Sequence, residues 1–90
     1  MISIQIIDKN KEGYQVIPQP IRNSGKIYFN NQDYEKAVLR VFKLNGQQLY
    51  EETSQVDYFK LHISNYPQGL YLFSIQTKNQ TIKGKFIKVP

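Results

Sequence analysis

Ninety residues give room for one hydrophobic core and no second one. Apolar residues at 40% and aromatics at 13% exclude wholesale disorder, and the absence of cysteine removes disulfides, thiolate zinc sites and thiol nucleophiles together. The formal charge of +5 is unevenly placed: residues 1–57 carry seven basic and seven acidic side chains, whereas Lys60, Lys78, Lys83, Lys85 and Lys88 follow with no acid at all. Such a one-sided field suits an anionic partner or a merely solvated face.

In chain order, Ile2, Ile4 and Ile6 alternate with Ser3, Gln5 and Ile7, a half-buried strand pattern. Asp8 to Gly13 is polar and reads as a loop or linker. The N-terminus has no basic n-region, and no apolar run approaches the ~18–20 residues that span a bilayer. The chain is therefore expected to be cytoplasmic as written, or a C-terminal fragment of an exported precursor. Tyr14 to Ile17 is extended. Pro18 and Pro20 lack an N–H and bias their predecessors to extended backbone, so 17–21 reads as an edge or sheet-crossing segment. Gly25 to Phe29 is a short strand with Ile27 and Phe29 on its inner face, and a single helical turn is conceivable only at 32–36.

Lys36 to Leu44 is a strand rich in Val, Leu and Phe, and Gln47 to Glu51 forms the next. Asn45-Gly46 between them predicts a hairpin closed by a type I′ turn, which needs positive φ at both central residues. In residues 56–63, Phe59, Leu61 and Ile63 point inward while Tyr58, Lys60 and His62 point outward. Pro67-Gln68-Gly69 then leads into Leu70-Tyr71-Leu72-Phe73. A strand entered through a turn and Gly-x-Tyr is how a tyrosine corner begins, so Tyr71 is expected inward, its hydroxyl bonded near residues 65–69. Gly69 to Thr77 and Gln80 to Val89 make a second hairpin around Lys78-Asn79, and its last residues read as an edge that could be trimmed at little cost if Phe86 is kept. Seven to eight short strands with closely spaced turns predict an all-β, antiparallel, Ig-like two-sheet β-sandwich.

No catalytic constellation emerges. His62 is the single histidine and lies on an outward strand face with no serine in a suggestive context. Glu51-Glu52 is the one adjacent acidic pair, and consecutive strand residues face opposite ways, so no metal site is expected. Gly13, Gly25, Gly46, Gly69 and Gly84 are isolated, which excludes a phosphate-cradling loop. Tyr28, Tyr50 and Tyr58 are expected to be exposed, while Phe29, Phe59, Tyr71 and Phe73 fill the core, so nucleic acid is not an expected partner. The residues predict neither an enzyme nor a cofactor or small-molecule substrate.

Four stretches in order resemble the type A C-terminal sorting domain of type IX secretion: Val16-Ile-Pro-Gln-Pro-Ile, Leu39-Arg-Val-Phe-Lys-Leu-Asn-Gly-Gln, Leu61-His-Ile-Ser-Asn-Tyr-Pro-Gln-Gly-Leu-Tyr and Thr81-Ile-Lys-Gly-Lys-Phe-Ile-Lys. The pattern runs through residues 14–90, leaving 1–13 as a first strand or the tail of an upstream cargo. Gln19 stands where the family has Asn, and Lys43 where it has Asp, so any bond made by that Asp is absent. The resemblance implies a monomeric recognition module. It would be read by the outer-membrane translocon and removed by a sortase-like surface protease, travelling through the periplasm as part of a larger precursor. It implies translocon recognition through Gly69, Tyr71, Lys83, Lys85, Ile87 and Lys88, with Pro18, Pro20, Asn45, Gly46 and Pro67 shaping the fold. The alternative is an Ig- or fibronectin-like adhesion or carbohydrate-binding module.

Overall fold

The computed structural model describes residues 13–31 and 33–90. The expected strand at 2–7 lies outside the described residues. The described residues form β1 (Tyr14–Ile17), β2 (Ser24–Phe29), β3 (Ala37–Phe42), β4 (Gln48–Ser54), β5 (Tyr58–His62), β6 (Gly69–Gln76) and β7 (Thr81–Lys88). They pair antiparallel into a three-stranded sheet, β1-β2-β5, and a four-stranded sheet, β4-β3-β6-β7. The chain changes sheet after β2, β4 and β5, so neither sheet is a simple meander.

The period-2 pattern decides what lies between the sheets. Ile27 and Phe29 of β2, Leu39 and Val41 of β3, Phe59 and Leu61 of β5, Phe73 and Ile75 of β6, and Phe86 of β7 are all buried there. Each such side chain contributes roughly 1.5–3 kcal/mol on leaving water. Phe29 stacks on Phe59 with centroids 5.6 Å apart, and Tyr14 meets Phe73 edge-on at 4.9 Å across the sandwich. Gly84 makes that edge contact possible, because a Cβ there would lie 2.5 Å from Phe73 and 2.6 Å from Tyr14.

Two polar devices hold the connections. Buried Asn31 donates to the carbonyls of Glu35 and Val56 and accepts from the Glu35 N–H, pinning the β2–β3 crossover to the loop before β5. Tyr34 N–H bonds Asn31 O and the backbone there turns, with Tyr34 at φ +51°, and no helical turn is assigned at 33–36. The segment carrying Pro18 and Pro20 does cross between sheets: Ile17 pairs with Lys26 of β2, while Ile21 bridges Lys88 of β7. The peptide bonds preceding both prolines are cis. Ile21 is fully buried, donates its N–H to Ile87 O and accepts from Val89 N–H, both at 2.8 Å, and Gln19 Oε1 accepts from Ile87 N–H at 3.1 Å. The C-terminal residues are thus clasped, which corrects the expectation of a loose edge.

The tyrosine corner is present. Tyr71 is 5% exposed and donates its hydroxyl to the Pro67 carbonyl at 2.5 Å. The first hairpin differs from expectation in its turn. Gly46 has φ +93°, but Asn45 does not have positive φ, so the type I′ assignment fails. Gly46 N–H bonds Lys43 O, Lys43 N–H bonds Gln47 O, and Asn45 Oδ1 accepts from Gln47 N–H. This is a three-residue loop closed by a left-handed glycine, the next commonest hairpin solution. The Asn side chain caps the loop through its oxygen, so its backbone need not go left-handed.

Replacing Gly46 by Val should cost more than about 1 kcal/mol in urea unfolding, all of it backbone strain, since no atom lies within 4 Å of the added Cβ. Tyr71→Phe should cost about 1 kcal/mol by the same measurement, because it strands the Pro67 carbonyl.

Candidate recognition surface

Strand β6 is apolar on both faces. Tyr71, Phe73 and Ile75 enter the core, and Leu70 and Leu72 therefore point away from it. Among the described residues they stay partly exposed: Leu70 is 38% exposed, Leu72 37%, and their neighbour Ile87 of β7 46%. The register places Leu70 opposite Ile87, Leu72 between Phe42 and Lys85, and Ser74 between Arg40 and Lys83. One end of the outer face of the larger sheet is thus an apolar patch of Phe42, Leu70, Leu72 and Ile87, bordered by lysines on β7.

The charges on that face are not alike. Arg40 is neutralised locally, with Nε 3.3 Å from Glu51 Oε1 and Nη1 bonded to Gln76. Lys83 and Lys85 are exposed and face Ser74 and Leu72 across the strand pair, neither of them acidic. Among the described residues no ion pair holds their ammonium groups, which suits an anionic partner.

The patch continues into a groove of about 400 Å³ at the end of the sandwich, lined by Lys43, Leu44, Asn45, Pro67, Leu70 and Tyr71 among others. The β3–β4 loop forms one wall, and exposed Leu44 is its most prominent apolar side chain. The β5–β6 turn, held by the Tyr71–Pro67 bond, forms the other.

Of the residues expected to be read by a partner, Lys83, Lys85 and Ile87 share the outer face, and exposed Gly69 lies at its groove end. Tyr71 and Lys88 point the other way. Lys88 is only 6% exposed, its stem inside the sandwich and its Nζ bonded to the Val89 carbonyl at 3.0 Å. The parity of β7 requires this, since Ile82, Gly84, Phe86 and Lys88 share the inner face. Leu70, Leu72, Phe42 and Leu44 escaped the sequence reading. The signal for the first two was present, because Leu-Tyr-Leu-Phe is apolar at both parities and only one face of an antiparallel sheet need be covered.

Among the described residues no three His, Cys, Asp or Glu side chains gather as a metal site, and His62 is exposed on β5. Tyr28, Tyr50 and Tyr58 are half-buried, not exposed as expected. Tyr50 packs against the core and donates its hydroxyl to Glu52. Burial pushes its phenol up from 10.0 to about 12, with the hydrogen bond to Glu52 and that carboxylate's charge adding to the effect. Tyr66, against Tyr71, is also raised by burial.

Residues 15–89 match the family described as the secretion system C-terminal sorting domain. No curated protein matches the chain. A crystal structure of a DUF3244 family protein from Bacteroides vulgatus, with an immunoglobulin-like β-sandwich fold, superposes with a TM-score of 0.69. It is 19% identical, over 89% of this chain and 87% of that one, a likeness of fold.

The Tyr50 phenol predicts a pH response. A pKa raised on folding favours the protonated folded state, so its stabilising contribution is complete below pH 10 and is lost as pH rises toward 12. Urea unfolding across that window should show a steeper loss for the native chain than for Tyr50→Phe, and phenolate absorbance should show one fewer late-titrating group in the variant.

Proposed function

Because the chain belongs to the secretion system C-terminal sorting domain family, the sorting signals of type IX secretion, we propose that it is the part of an exported precursor read by the outer-membrane translocon and then removed by a sortase-like surface protease. The family is not one of catalysts, and its members accompany secreted proteins through the periplasm to the cell surface. In this reading residues 14–90 are the sorting unit, and whatever precedes them is cargo or linker. The partners are proteins, and the domain acts as a monomer.

The observation that carries the proposal is the outer face of β6 and β7. It presents an apolar patch beside two lysines whose cross-strand partners, Ser74 and Leu72, are not acidic, on a hairpin whose far end is clasped to Ile21. A recognition element must be rigid enough to be recognised and must keep its contact groups out of its own core. Leu70, Leu72 and Ile87 supply apolar area, while Lys83 and Lys85 supply orientation and encounter rate. Tyr71 and Lys88 act from inside, setting the turn and the strand end that display those groups.

A reporter cargo fused in front of the domain, expressed in a strain with an intact type IX system, tests this. Leu70→Gln/Leu72→Gln and Lys83→Glu/Lys85→Glu should each keep a folded domain, with stability close to that of the parent, and should shift the reporter from the surface to the periplasmic fraction. Normal surface delivery by both folded variants would show that this face is not what the translocon reads.

A further inference from the structure

The outer face of the smaller sheet carries a second, separate arrangement. Lys26 of β2 lies directly opposite Lys60 of β5, and Tyr28 directly opposite Tyr58. All four point away from the core, because Ile27 and Phe59 between them point into it. Like charges opposed across a strand pair destabilise a sheet when nothing lies between them. Here Lys26 Nζ sits 5.0 Å from the centre of the Tyr58 ring, a cation–π contact that relieves one ammonium only in part. Tyr28 and Tyr58 are 6.0 Å apart and inclined at 41°. Together with Ser24 and His62, which pair at the open end, Lys26, Tyr28 and Lys60 line a concavity of about 340 Å³ in which no lining residue is acidic. Glu52, which lines the neighbouring groove with Lys60 and His62, accepts the Tyr50 hydroxyl and lies outside the lining of this concavity.

We propose that this concavity binds the acidic unit of an anionic glycan, a sugar carrying a carboxylate or phosphate group, held between Lys26 and Lys60 with its ring against Tyr28. Charge complementarity argues for the anion, since Lys26 and Lys60 both line the concavity and none of its described lining residues is acidic. The size argues for a single sugar unit, because the volume of about 340 Å³ is at the small end of ligand pockets. A stacked nucleic-acid base fits less well, because the Lys26 ammonium already occupies one face of Tyr58. Hydroxyl and imidazole groups at the open end, from Ser24 and His62, suit the hydroxyls of a sugar. The site lies on the opposite sheet from Leu70, Leu72, Lys83 and Lys85, so it neither depends on the sorting reading nor competes with that face.

The test uses the full 90-residue chain. Trigalacturonate, its methyl-esterified form, mannose 6-phosphate and a short oligo-dT are titrated separately, with amide shifts followed by NMR. Saturable binding of trigalacturonate or mannose 6-phosphate is expected, and the stronger of the two identifies carboxylate or phosphate as the preferred anion. Shifts should centre on Lys26, Tyr28, Tyr58 and Lys60, and the esterified sugar should bind weakly or not at all. Lys26→Gln/Lys60→Gln should weaken binding at least about tenfold, the value of one lost charge-assisted hydrogen bond, while Lys83→Gln/Lys85→Gln should leave it unchanged. Since the double variant removes a like-charge pair, it should not unfold, and Tyr28→Ala provides a second lesion with the charges kept. No saturable binding of either acidic sugar would overturn the proposal. So would equal binding of the ester, tighter binding of oligo-dT, or shifts centred on the β6–β7 face.

Discussion

Ile21 is the point on which the sandwich closes. Its side chain is fully buried in the core, while its N–H and carbonyl are both committed to the strand that ends the chain. A strand end tied at two backbone groups cannot slip by one residue, and such a slip would exchange the two faces of β7. The clasp therefore fixes Ile82, Phe86 and Lys88 inside and Lys83, Lys85 and Ile87 outside. Gln19 completes it with a side-chain oxygen that accepts from Ile87 N–H.

The two sheets divide the work. The larger one buries more of the aromatic core, with Tyr71, Phe73 and Phe86 in a row whose centroids lie 5.5 and 6.4 Å apart. Offset aromatic pairs of this kind add about 0.5–1.5 kcal/mol beyond their burial. That interior stiffness lets the same strands present Leu70, Leu72 and Ile87 outward, partly exposed among the described residues. The smaller sheet has the complementary economy: its core side is Ile27, Phe29, Phe59 and Leu61, and its outer side is where like charges and phenols accumulate.

The sorting-domain family is not one of catalysts, and the notable features of this chain lie on its surfaces. Among the described residues the Tyr50 phenol is the one pushed up to about 12, by burial first and by its hydrogen bond to Glu52. Of the buried polar residues, Asn31 and Thr77 spend their hydrogen bonds on loops and Lys88 spends its own on the Val89 carbonyl. Each is satisfied, and among the described residues no buried side-chain nitrogen or oxygen lacks a partner. The interior is thus fully occupied with holding shape, which leaves the outer faces for partners.

Much of this was written in the sequence by itself. Alternation with period two named the inner residues of β2, β5 and β6, because each strand must bury one face. Gly-Leu-Tyr after a proline turn announced the tyrosine corner, because a strand entering at that angle places the phenol over its own turn. Order and spacing of short motifs identified the sorting-domain family, later matched over residues 15–89. What only the tertiary structure decided were features set by distant partners. The turn at Asn45-Gly46 is the local exception, where the loop takes three residues and Asn45 Oδ1 accepts from Gln47 N–H, details the dipeptide alone does not state. The inward placement of Lys88 depended on the register of β7 against β6 and on the Ile21 clasp, contacts between residues 67 positions apart in sequence (88 less 21). The convergence of Lys26 with Lys60, and of Leu72 with Phe42 and Lys85, is likewise a product of cross-strand pairing. A linear pattern shows which face a side chain takes, but only register shows which side chains it meets.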